Sequence, residues 1–70
     1  MIREGTAVKW KWGKGTAQGK VKNTFDHEVI HTIKGTKVTR KGSPENKALY
    51  IQQENGNEVL KLESEVERND

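Results

Sequence analysis

The 70-residue chain contains no cysteine. Disulfide bridges, thiolate metal sites and cysteine nucleophiles are thereby excluded. Its two serines, Ser43 and Ser64, have no histidine close by in sequence, which leaves little material for a serine nucleophile. No run approaches the roughly eighteen apolar residues of a membrane span. Met1-Ile2-Arg3-Glu4-Gly5 also lacks the apolar segment of a signal peptide. The expectation is a cytoplasmic protein with no membrane partner. Hydrophobic residues make up 30% of the chain, and the aromatics number four: Trp10, Trp12, Phe25 and Tyr50. One small domain spanning residues 1–70, its core running from about 5 to 68, must be held by these few side chains.

What is present is organised around Ala7-Val8-Lys9-Trp10-Lys11-Trp12, which alternates strictly. Successive side chains of a strand face opposite sides, so Val8, Trp10 and Trp12 share one face and Lys9 and Lys11 the other. Gly13-Lys14-Gly15 makes a turn, and Thr16 to Phe25 alternates again. Ala17, Gly19, Val21 and Phe25 fall on its apolar parity, the two small residues leaving room for the indoles. Lys9, Lys11, Lys20 and Lys22 then share the outer face of a hairpin, with Lys14 at its tip.

Val29 to Ile33 and Lys37 to Arg40 read as strands, with Lys34-Gly35-Thr36 breaking between them. Residues 41–47 hold the single proline and read as a mobile loop. Ala48 to Gln53 and Glu58 to Leu62 are strands around Asn55-Gly56, a pair that favours a two-residue type I′ hairpin. Ser64-Glu65-Val66-Glu67 fits a capping box, with Ser64 as N-cap of one helical or 3₁₀ turn. The fold class is all-β: a small SH3-like barrel of about five antiparallel strands and a short C-terminal helical turn, monomeric or weakly associating. Its expected core is Val8, Trp10, Ala17, Val21, Phe25, Val29 or Ile30, Leu49, Ile51, Leu60, Leu62 and Val66.

The ordered set Gly5-Thr6-Ala7-Val8-Lys9-Trp10, Gly15-Thr16-Ala17-Gln18-Gly19-Lys20-Val21, Ile33-Lys34-Gly35, Ala48-Leu49-Tyr50-Ile51 and Gly56…Val59-Leu60-Lys61…Ser64-Glu65-Val66 resembles the hypervirulence-associated protein Tudor-domain family. The resemblance runs from about Gly5 to Arg68. It departs at Lys47, where the pattern has proline. It implies an SH3-like barrel and brings no reaction with it. Tudor domains that read methylated lysine or arginine surround the cation with aromatic faces. Trp12 and Tyr50 are the residues here that would form such an aromatic rim.

A second resemblance, to type II dihydrofolate reductases, rests on Gly-x-x-Val, Gln-Gly-x-Val and the closing Val…Glu-Arg. Those enzymes use a Val-Gln-Ile-Tyr stretch, and Val59-Leu60-Lys61-Leu62 lacks both its glutamine and its tyrosine. The expectation is therefore no enzyme and no cofactor.

His27 and His31 could suggest a metal, but residues four apart on a strand lie about 13 Å apart, too far to share one ion. No metal site is expected. Gly13-Lys14-Gly15-Thr16 is not a phosphate-binding loop, because Gly15 follows the lysine and a strand follows the turn.

Charge is unevenly spread. Residues 1–47 carry eleven basic and four acidic side chains, and residues 48–70 two basic and six acidic. The sequence reading is a small binding module contacting nucleic acid through Lys9, Lys11, Lys14, Lys20 and Lys22. The alternatives are a protein or peptide partner taken by the aromatic rim and, behind it, a reductase-like SH3 barrel acting as an oligomer.

Overall fold

The computed structural model describes residues 2–69. β1 (Ala7–Trp12) and β2 (Gly15–Phe25) form the hairpin that their alternation predicts, with Val8 opposite Gly19, Trp10 opposite Ala17 and Lys11 opposite Thr16. Of the two linking residues only Gly13 takes a positive φ, 57°, the pattern of a type II′ turn.

β3 (Glu28–Ile33) and β4 (Thr36–Lys41) pair with each other alone. β5 (Ala48–Gln53), β6 (Glu58–Leu62) and the two-residue β7 (Glu67–Arg68) join the first hairpin in a sheet ordered β6-β5-β2-β1-β7. Every pairing is antiparallel. The all-β class stands, with seven strands among the described residues rather than about five.

Val8, Trp10, Val21, Leu49, Ile51 and Val66 are buried in one cluster, which Ile2 joins and against which Ala17 and Val59 pack half-buried. The register explains it: Val21 stands opposite Ile51, and Ile51 opposite Val59, on one face of the sheet. Gly19 allows β2 and β5 to approach each other. A Cβ there would lie 2.6 Å from the Gln52 carbonyl oxygen and 2.9 Å from Ile51 Cγ2. The space left by this glycine therefore serves β5, while Ala17 is the small residue opposite Trp10.

Phe25 leaves that cluster because β2 is irregular between Val21 and Asn23. The extra residue of a bulge shifts the alternation by one. Beyond it Thr24 stands opposite Leu49, and Phe25 stands opposite Ala48 on the other face. Ala48 and Leu60 are buried there, and Phe25 and Leu62 half-buried. The β3–β4 hairpin lies against β6 on this side. Val29 is half-buried and Ile30, of opposite parity, is 60% exposed, which decides between the two.

Three turns differ from expectation. At Asn55-Gly56 only the glycine has positive φ, and the Gly56 N–H donates to the Gln53 carbonyl at 3.0 Å. The Asn55 side chain accepts the Asn57 N–H at 3.0 Å. This is a three-residue loop with glycine in the left-handed position, not type I′. The hairpin with positive φ at both central residues is β3–β4, through Lys34 (51°) and Gly35 (79°). The C-terminal turn is 3₁₀, Glu63–Glu65, and begins before Ser64. Glu65 accepts the Leu62 N–H at 2.9 Å, in the role expected of Glu67.

Ser64 instead clasps the 41–47 loop. Its N–H donates to Asn46 Oδ1 at 3.0 Å and its hydroxyl accepts from Asn46 Nδ2 at 3.1 Å. The Lys47 N–H donates to Glu63 Oε1 at 2.8 Å, and the Glu63 N–H returns to the Lys47 carbonyl at 2.9 Å. Gly42 fits between backbones, since a Cβ would come within 2.6 Å of the Phe25 carbonyl oxygen and 2.8 Å of the Ala48 nitrogen. The loop expected to be the most mobile is thus tied at several points.

Candidate nucleic-acid interface

The side chains of residues 7–25 include five lysines and no carboxylate. Pairing of β1 with β2 places Lys9, Lys11 and Lys20 on the outer face, because Lys9 opposes Gln18 and Lys20 opposes Ala7. Lys14 sits in the linking turn, and Lys22 at the irregularity of β2. Lys11, Lys14, Lys20 and Lys22 are exposed, and Lys9 is half-buried.

The lysines divide into two groups with different surroundings. Lys20 and Lys22 border a shallow basin of about 490 Å³ with Gln18, Gln52, Glu54 and Asn69. Asn69 is held there by its side chain, which donates to Gln18 Oε1 at 2.6 Å, and by its N–H on the Ala7 carbonyl at 2.9 Å. Lys9 and Lys11 border a second basin of about 470 Å³ with Glu65 and Glu67. β7 pairs Lys9 with Glu67, opposite charges side by side, which lowers the positive potential at that edge. Glu65 is itself engaged by Arg40, Nε to Oε1 at 3.3 Å.

The two rim aromatics do not meet. Trp12 shares the parity of Trp10, hence the face of Val21 and Ile51, whereas Tyr50 is one residue from Ile51 and points to the other face. Tyr50 stacks on His31 with centroids 4.7 Å apart, and Phe25 lies 5.7 Å from His31 and 5.9 Å from His27. The Tyr50 hydroxyl bonds to Glu58, which together with partial burial raises its pKa above the usual phenol value. Trp12, 71% exposed, walls a cleft that Tyr50 does not line.

The rings of His27 and His31 both contact Phe25. His27 Nδ1 lies 3.1 Å from Asp26 Oδ1, and this bond lowers the Asp26 pKa. Among the described residues no group of three histidine, cysteine or carboxylate side chains could hold a metal, and no helix is long and apolar enough to cross a membrane.

Residues 5–66 match the model of the family described as hypervirulence associated proteins TUDOR domain. The chain belongs to this family. No curated protein and no solved structure matched it. The TUDOR match covers both the lysine-bearing hairpin and the Asn46–Ser64 clasp, so both are part of the domain itself. Sequence reasoning missed the tip of this TUDOR domain, where Ile33 and Lys34 of the β3–β4 turn reach the cleft beside Trp12. No local signal carries that approach, because it depends on where a distant hairpin lands.

Proposed function

We propose that this TUDOR domain is a non-enzymatic binding module whose ligand is a nucleic acid, held through the phosphate backbone by the outer face of the β1–β2 hairpin. The observation that carries the reading is the concentration of Lys9, Lys11, Lys14, Lys20 and Lys22 on one hairpin whose own side chains include no carboxylate. Phosphate contacts require positive charge on an accessible surface and imply no sequence readout. The split surroundings rank the lysines. Lys11, Lys14, Lys20 and Lys22 are exposed and contribute most, while Lys9, half-buried beside Glu67, contributes least.

Titration with fluorescently labelled oligonucleotides at several salt concentrations tests this. With four lysine–phosphate contacts, affinity should fall roughly 50-fold for a single strand and roughly 150-fold for a duplex over a four-fold rise in salt. Replacing Lys11, Lys14, Lys20 and Lys22 together with glutamine should abolish most of that dependence. An absence of binding at low ionic strength would dismiss the polyanion and leave a protein or peptide as partner.

A further inference from the structure

Trp12 is a large side chain without a packing role. It is 71% exposed, and Ile30 is the other large hydrophobic side chain left in solvent among the described residues. The indole lines a cleft of about 520 Å³ together with Trp10, Ala17, Val59 and Ile33. The amides of Asn55 and Asn57 line the same cleft. A flat ligand could therefore lie on the indole against aliphatic surface, with hydrogen-bonding groups within reach at the rim.

The lysines beside the cleft select the ligand class. Lys34 lines it, and Lys11 and Lys14 flank Trp12 in the chain. Glu58 is the one carboxylate among the lining residues, and it is engaged by the Tyr50 hydroxyl. The lining thus balances one lysine against one carboxylate, and the positive charge lies next to it: the cleft shares Trp10 and Thr16 with the basin that Lys9 and Lys11 border. We infer that the Trp12 cleft receives an unpaired base of a single-stranded nucleic acid whose phosphates run onto the β1–β2 lysines. This rests on the polyanion reading above and adds the strand class to it. In a duplex the bases are stacked on one another, so the indole would meet only sugar and phosphate. In a single strand each base offers a free face, and an aromatic platform takes any of them.

The experiment follows tryptophan emission and anisotropy with three probes: a deoxythymidine decamer, a duplex of equal length, and a decamer of abasic sugar-phosphate. The expected result is that the thymidine decamer quenches an exposed emission component that Trp12→Phe removes. Trp12→Ala should weaken the thymidine decamer roughly ten-fold or more while leaving duplex binding and its salt dependence unchanged. The abasic strand should bind like the duplex in this respect, indifferent to Trp12. Equal binding of all three probes, unaffected by Trp12→Ala, would overturn the base site while leaving the lysine face intact. Failure of every probe to bind at low salt would overturn both. Emission changes produced by apolar peptides but by no oligonucleotide would make the cleft a peptide site and also overturn the inference. Both variants replace an exposed ring, and circular dichroism verifies that each is folded.

Discussion

Trp10 and Trp12 stand two residues apart on one strand, with the same side chain and the same parity, yet Trp10 is 4% exposed and Trp12 71%. Parity alone fixes the face, while depth depends on what surrounds each position. Trp10 has Ala17 across the hairpin and belongs to a cluster that includes Ile2 and Val66. Trp12 is paired with Gly15, which offers no side chain, and β7 has already ended opposite Lys9. The base of the hairpin is therefore structural and its tip is available for a ligand.

The sharpest way to break this comparison is to truncate each ring in turn. Trp10→Ala should cost about 3–5 kcal/mol, as large aromatic truncations in cores do, and could unfold a domain this small. Trp12→Ala should stay within about 0.5 kcal/mol of the parent, as substitutions at exposed positions do. Urea denaturation followed by circular dichroism measures both. Similar losses at the two positions would show that the tip is packed after all.

Glycines sharpen the same contrast. Gly19→Ala at the base places its Cβ against the Gln52 carbonyl, and overpacking of this kind costs about 1–3 kcal/mol. Gly13→Ala at the tip meets no atom within 4 Å but inherits a φ of 57°, which costs about 1 kcal/mol. Thermal unfolding should rank Gly19→Ala below Gly13→Ala. The reverse order would mean that the sheet yields more easily than the turn.

The smallest effect is a gain, at the other tip. Lys34 occupies a left-handed position that asparagine and glycine favour, so Lys34→Asn should stabilise by about 0.5 kcal/mol. Because Lys34 also lines the Trp12 cleft, the same variant should bind nucleic acid less well. A stability gain coupled to an affinity loss would separate the structural and ligand-binding demands on one residue.

Much of the fold was legible because alternation is local. Val8, Trp10, Val21 and Ile51 could be assigned to the core from their spacing alone, and Lys9, Lys11 and Lys20 to the outer face. Phe25 was misplaced because the irregularity after Val21 shifts the parity, and nothing in Lys22-Asn23 announces a bulge. The type I′ turn that Asn55-Gly56 predicts lies instead at Lys34-Gly35, where lysine is not a residue that the turn favours. For the candidate site, the lysine positions were readable, but their neighbours were not. Glu67 beside Lys9, and Ile33 in the cleft that Trp12 lines, are brought in from segments far along the chain. The separation of Trp12 from Tyr50 likewise needed the register that joins β1 to β5 through β2.

The Asn46–Ser64 clasp bears on how the domain opens. A hairpin ordinarily unzips from its free ends, each pair exposing the next. β5 and β6 have no such loose end: one is closed by the Gln53 N–H on the Asn57 carbonyl at 2.7 Å, the other by the Lys47–Glu63 and Asn46–Ser64 bonds. Unzipping the β5–β6 ladder therefore requires one closure to break, while the β5 amides that face β2 are released only when that pairing opens. The β5–β6 contacts are local in the chain and can form early, whereas the pairing of β5 with the distant β2 has to follow to complete the core.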